Sequence, residues 1–154
     1  GLNYGYLRSD FDEFMILGVD EANNRSPTFA PRNTLGVVID GVMARTSNGV
    51  LHATVDYRYT SSFNMYAYPT TQVTPPSQLA ANSVISSYTV NGRIAFSDMN
   101  WGHDIQGEVE LWGNNLTDNE HINLIVDFGP SFGNLRSVNY NDPRTYGVTV
   151  TARW

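Results

Sequence analysis

From Tyr146 to the last residue, every even position of the chain is apolar or aromatic: Tyr146, Val148, Val150, Ala152, Trp154. Between them stand Gly147, Thr149, Thr151 and Arg153, all small or polar. Side chains of a strand point alternately to opposite faces, so this period of two defines a strand with one apolar and one polar face. The apolar face has to meet either a core or lipid, and that choice governs everything else the chain can be.

The same period recurs upstream. After Phe29-Ala30-Pro31-Arg32, Leu35, Val37, Ile39, Gly41 and Met43 share one face against Thr34, Gly36, Val38 and Asp40. Pro31 sits at the strand entrance, where a missing N–H costs least. Leu51, Ala53, Val55, Tyr57 and Tyr59 oppose His52, Thr54, Asp56, Arg58 and Thr60. A fourth strand sets Tyr88, Val90, Gly92, Ile94 and Phe96 against Thr89, Asn91, Arg93 and Ala95. A fifth sets Ile105, Gly107, Val109 and Leu111 against Asp104, Gln106, Glu108, Glu110 and Trp112. The opening residues 2–14, with Tyr4 and Tyr6, alternate poorly and supply a weaker first strand. No stretch has the period of a helix.

The connections alternate in length: long over 15–28, short over 45–49, long over 61–83, short over 98–103, long over 117–142. Asn48-Gly49 in the first short turn is a pair that supplies the positive φ favoured in hairpins. In an up-and-down sheet, this alternation gathers the long loops at one end and the short turns at the other. The fold class expected is therefore all-β, an antiparallel up-and-down meander of about six long strands, occupying residues 1–154 as a single segment. Strands of about ten residues at roughly 3.3 Å per residue, tilted about 45°, give an apolar band close to 25 Å tall, as in transmembrane β-barrels. On that reading Asp56, Arg58, Arg93, Glu108, Glu110 and Arg153 face a lumen, and the aromatics near strand ends form interfacial girdles.

Composition narrows the functions. The net charge is −6 and no basic stripe exists, which disfavours nucleic acid as a partner. All nine basic residues are arginine, so no lysine is present to form a Schiff base or a P-loop contact. With no cysteine there is neither a disulfide nor a thiolate site. No apolar run approaches the roughly 20 residues of a spanning helix, and a mean hydropathy of −0.30 is compatible with a barrel, whose strands alternate. Gly1-Leu2-Asn3-Tyr4-Gly5-Tyr6 has neither an initiating Met nor the features of a signal peptide. The chain reads as a piece of a longer protein.

Four pieces carry a family likeness: Phe29-Ala30-Pro31-Arg32 opening a strand, Asp56-Tyr57-Arg58-Tyr59, Trp112-Gly113-Asn114-Asn115-Leu116-Thr117-Asp118, and Pro143-Arg144-Thr145-Tyr146-Gly147 leading into a terminal strand that ends in an aromatic. In their order and spacing the chain resembles the C-terminal part of TonB-dependent outer-membrane receptors, most firmly over 29–60 and 84–154. The resemblance implies a bacterial outer-membrane location and a barrel of about 22 strands, of which this chain supplies about the last six. It implies outer-membrane lipid as a partner, a TonB energy-coupling complex acting through an N-terminal plug that lies outside this chain, and the barrel-assembly machinery. It further implies uptake of a small-molecule ligand such as a ferric siderophore or other metal chelate, vitamin B12 or a glycan, and the residues do not select among these.

On this reading Tyr146, Val148, Val150, Ala152 and Trp154 form the assembly signal, recognised as an added strand. Asn114, Asn115 and Asp118 satisfy backbone groups where the fifth strand leaves the sheet. Phe63, Tyr66 and Tyr68, in a long outward loop, are the candidate ligand contacts, with packing of the loop on itself as the other reading. Glu108 and Glu110 share a face but are expected to pair with Arg93 or Arg153 in place of acting as a catalytic carboxylate pair. His52, His103 and His121 fall in separate elements without metal-ligand spacing. No catalytic, cofactor or metal residue is assigned, and the chain is not expected to be an enzyme. The alternative from another class is a soluble all-β ligand-binding module, a sandwich or lipocalin-like barrel with its apolar face turned inward.

Overall fold

The computed structural model describes residues 1–67 and 83–154. Among these residues twelve strands form, in chain order β1 (Leu2–Tyr6), β2 (Met15–Ile16), β3 (Val19–Asp20), β4 (Asn33–Thr46), β5 (Gly49–Thr60), β6 (Phe63–Asn64), β7 (Ser83–Val84), β8 (Ser87–Asn100), β9 (Gln106–Asn114), β10 (Ile122–Asp127), β11 (Arg136–Tyr140) and β12 (Thr145–Arg153). Six of them make one antiparallel sheet in the order β1-β4-β5-β8-β9-β12. Each sheet strand pairs with the next one along the chain, so the sheet is an up-and-down meander, as the alternation of connections requires. Among the described residues the only helical pieces are two three-residue 3-10 turns, Ala22–Asn24 and Pro130–Phe132.

The register keeps like with like. Ile39, Val55, Gly92, Gly113 and Tyr146 stand in one cross-strand row; Gly41, Ala53, Ile94, Leu111 and Val148 stand in another. A third row holds Ala44, Leu51, Phe96, Val109 and Val150. The interleaved rows carry the polar residues, including Asp40, Thr54, Arg93 and Trp112, then His52, Ala95, Glu110 and Thr149. A slip of one residue in any pairing would exchange the two faces, so the pattern itself pins the register.

Three expectations are corrected by bulges and ends. Val42 faces His52 and Ala44 faces Leu51, which leaves Met43 as an extra residue with no cross-strand partner. The apolar face of β4 therefore passes from odd to even positions at Met43, and a pure period of two misplaces this residue. In β8, Phe96 faces Val109 and Met99 faces Gly107, with Asp98 at φ 57 in the extra position. Aspartate tolerates the left-handed region better than most residues, so the strand runs through the expected turn start and ends at Asn100. The opening strand spans five residues and pairs only with the Asn33–Val37 half of β4, so five strands are long and one is short.

Each long connection carries its own two-stranded ribbon, β2–β3, β6–β7 and β10–β11. The first turns at Leu17-Gly18, φ 49 and 83, the paired positive φ values of a tight hairpin. At the other end, the β4–β5 turn needs glycine at Gly49: its φ is 151, and a Cβ there would collide with the Ser97 carbonyl and the Phe96 ring. The buried apolar cluster lies in the connections and outside the sheet. Met65, Val84 and Ile125 form it, with Phe63, Tyr66 and Ile122 packed against it.

Candidate functional site

The apolar face of the sheet is broadly exposed. Ile39 is 67% exposed, Val148 64% and Leu111 54%, and Val55, Ile94 and Val150 are of the same kind. Not one charged side chain stands in its three central rows. Burying a Val, Leu or Ile side chain fully contributes about 1.5–3 kcal/mol. Six of them left roughly half exposed forgo about 5–9 kcal/mol, comparable to the net stability of a whole domain. Aromatics border the face at both ends. Tyr4, Leu35, Tyr59 and Tyr88 share the row nearest the long connections, and Tyr57 and Tyr88 stand 6.3 Å apart between ring centroids. Trp101 lies over Gly107 at the opposite end, where Trp154 follows the last residue of β12. Leu116 similarly covers Gly92 and Gly113, where a glycine leaves the pleat bare.

The polar face is laced by diagonal ion pairs. Arg93 reaches Glu110 at 3.3 Å and Arg153 reaches Glu108 at 3.6 Å, each from the neighbouring strand. Arg58 lies 3.0 Å from Asp56 on its own strand, and Asn91 donates to the same carboxylate from β8 at 3.1 Å. Thr54 donates to Asp40 across β4 and β5. Glu108 and Glu110 thus take the two arginines expected of them, one each. Glu110 and Asp56 are only 18% exposed and Ala95 only 3%, so the carboxylates of these pairs lie low on the sheet beneath arginines that reach solvent.

Strand β12 forms one edge of the sheet, paired on one side with β9 from Thr145–Asn114 to Arg153–Gln106. Tyr146, Val148, Val150 and Ala152 lie on its apolar side; Trp154 follows the last paired residue and is 95% exposed. On its polar side the Trp112 indole covers Gly147 and donates its Nε1–H to Thr149 Oγ1 at 3.2 Å.

Where β9 leaves the sheet, Asn115 is 5% exposed and sits at φ 48. Its N–H donates to Asn91 Oδ1, its Nδ2 donates to the Asn119 and Asp142 carbonyls, and its Oδ1 accepts the Asn119 N–H. Asp118 accepts the Arg144 N–H at 3.2 Å and pairs with the Arg144 guanidinium at 3.5 Å. One asparagine therefore ties β8, the exit from β9 and the entry to β12 together. Asn114 ends β9 beside it, opposite Thr145. This junction also borders a cleft of about 300 Å³ lined by Asp118, Glu120, Tyr140 and Asp142.

Of the three aromatic candidates, Tyr68 lies outside the described residues. Tyr66 packs on the apolar cluster; its hydroxyl donates to the Ile125 carbonyl at 2.7 Å and accepts the Asp127 N–H at 3.1 Å. Phe63 packs on the same cluster, meets the Phe29 ring at 5.8 Å, and also lines a polar cleft between the first two long connections. The structure places these two at the joint between loops. The histidines stay apart: His52 on the polar face, His103 in the β8–β9 turn at φ 51, and His121 beside the Asn115 junction. Among the described residues no three His, Cys, Asp or Glu side chains come together to hold a metal.

The alternation did not reveal that the long connections join one another. Arg25 Nη1 donates to the Ala67 carbonyl at 2.8 Å, the Phe29 N–H donates to the Asn64 carbonyl, and Thr28 bridges Asn64. The largely sheltered Asp127–Arg136 pair, 3.2 Å apart, braces the β10–β11 ribbon. Asp20 accepts N–H bonds from Phe14 at 3.0 Å and Ala22 at 2.9 Å, which hold its carboxyl below the usual carboxylate range. No protein-family profile, curated protein or solved structure matches the chain.

Proposed function

We propose that the chain is a segment of transmembrane β-barrel wall, the C-terminal part of a TonB-dependent outer-membrane receptor that takes up a small-molecule ligand such as a metal chelate. The observation that carries this reading is the inverted distribution of exposure. Three rows of the sheet are charge-free and apolar yet carry side chains that are 46–67% exposed, while on the other face Asp56, Glu108 and Glu110 are sheltered beside more exposed arginines. In water that arrangement is unfavourable; with lipid outside and an aqueous lumen inside it is what solvation demands.

Two further features support it. From Tyr88 to Met99 the apolar face of β8 extends roughly 35 Å along the strand, which at a tilt of about 45° gives a band about 25 Å tall. The three elaborated connections gather at one end and the two tight turns at the other, the asymmetry of barrels with long outer loops and short inner turns. The family assignment rests on the sequence likeness. Lipid contact, plug and TonB coupling, and recognition of β12 by the assembly machinery follow from it.

Within the reading, the segment's share is wall, loop platform and terminal strand, with no chemistry of its own. A soluble sandwich would need a second layer over the apolar face, and Ile39, Ile94, Leu111 and Val148 remain more than half exposed there. Phase partitioning tests the proposal. The chain should float with phospholipid vesicles and stay in the detergent phase after extraction; a stable monomer in plain buffer, seen by light scattering, would refute it.

A further inference from the structure

We propose that the cleft between the first and second long connections binds a small polyhydroxylated anion, a sugar acid or sugar phosphate, through Arg8 and Arg32. The cleft has a volume of about 410 Å³, within the range of small-molecule sites, and its wall is mostly polar. Three of the chain's nine arginines, Arg8, Arg25 and Arg32, line it, although the chain as a whole carries −6. Among the described residues, the only carboxylate that lines it is Asp10.

The three arginines are not equivalent. Arg25 is nearly buried and committed: Nε and Nη2 bond Glu21 at 3.1 and 2.7 Å, Nη1 bonds the Ala67 carbonyl, and the guanidinium lies 5.4 Å from the Phe14 ring centroid. It fixes one wall by tying the two connections together. Arg32 has no carboxylate partner among the described residues, and it lies on a short segment held by the Leu7 N–H on its carbonyl. Arg8 meets Asp10 at 3.3 Å, with both side chains about three-quarters exposed, an ion pair of the kind worth little in water. A ligand carboxylate or phosphate can therefore replace Asp10 on Arg8 while supplying Arg32 with its missing counter-charge, in the forked geometry that guanidinium favours.

The rest of the wall sets the ligand's body. Ser61 and Ser62 present hydroxyls, and Asn33, whose Oδ1 accepts the Tyr4 hydroxyl at 2.6 Å, keeps its amide as a donor. Phe63 closes the floor with an apolar ring. Such a lining matches hydroxyl groups around a compact ring better than an extended apolar chain. Apart from Asn33, the first residue of β4, the cleft is built from the connections, so the inference does not rest on the membrane reading.

Titration calorimetry on the full chain in detergent micelles tests it, with glucuronate, glucose 6-phosphate, glucose and inorganic phosphate as probes. The expected result is that the two acidic sugars bind at least tenfold tighter than glucose and than phosphate. Arg32→Gln should weaken them at least tenfold, Ser62→Trp should block them, and Arg58→Gln on the sheet should leave them unchanged. Equal affinity for glucose and glucuronate, phosphate as tight as its sugar ester, no binding of either acidic sugar at millimolar concentration, or an unaltered affinity in Arg32→Gln would overturn the proposal.

Discussion

Placing an arginine at Ile94 distinguishes lipid from water on the apolar face. Ile94 lies in the middle row, between Ala53 on β5 and Leu111 on β9, and is 51% exposed. Val42, opposite His52 on the polar face, is 43% exposed. In water the two sites are equivalent, and an exposed substitution at either shifts stability by no more than about 0.5 kcal/mol. In a bilayer, an arginine on the lipid face near midplane costs about 2–4 kcal/mol, against close to zero on a polar lumen wall. That difference changes the folded-to-unfolded ratio by about thirty-fold to several-hundred-fold. Reversible urea unfolding in short-chain phosphatidylcholine vesicles, followed through the fluorescence of Trp101, Trp112 and Trp154, measures it. Ile94→Arg should lower the midpoint strongly and Val42→Arg should barely move it. Equal effects of the two substitutions, or an Ile94→Arg chain within about 0.5 kcal/mol of the parent, would refute the assignment of this face to lipid.

The ion pairs of the polar face should show specific coupling: double-mutant cycles on Arg93 with Glu110 and on Arg153 with Glu108 should each give about 0.2–1 kcal/mol, while Arg93 with Glu108 gives none within error. Asn115→Ala should cost about 2–4 kcal/mol in the same unfolding assay, because it removes the side-chain bonds to Asn119 and Asp142 and places an alanine at φ 48. Asp20 gives a pH dependence of known sign. Its folded-state pKa is depressed, so its contribution is complete above the ordinary carboxylate range and is lost as the pH falls through the folded value. The amide resonances of Phe14 and Ala22 should shift together with that titration, and Asp20→Asn should abolish the shift.

Much of the fold was readable because one physical rule, alternation across a pleated strand, repeats in β4, β5, β8, β9 and β12. Two neighbouring faces of opposite polarity fix strand identity, register and meander order at once. The rule failed at Met43 and at Asp98, where one extra residue reverses which positions face outward. It was silent on β2–β3 and β10–β11, whose partners lie close in sequence but whose strands are too short or too mixed to show a period. Of the expected site residues, Asn115 and Asp118 are at the strand exit as the turn chemistry implied, and their partners, Asn91, Asp142 and Arg144, come from other strands and connections. Phe63 and Tyr66 drew notice for their aromaticity; the arginines that line the adjacent cleft did not, since they come from positions far apart in the chain and form no sequence motif.

The sequence by itself determined that this chain makes a long-stranded antiparallel sheet with one charge-free face, since solvation of alternate side chains is a local property. The terminal strand from Tyr146 was legible for the same reason. Tertiary structure alone decided which arginine meets which glutamate, where the bulges turn the faces, that the small buried core sits among the connections, and that Arg8 and Arg32 share a cleft. Those outcomes depend on groups brought together by strand pairing across tens of residues, and no local pattern of polarity encodes the distances between them.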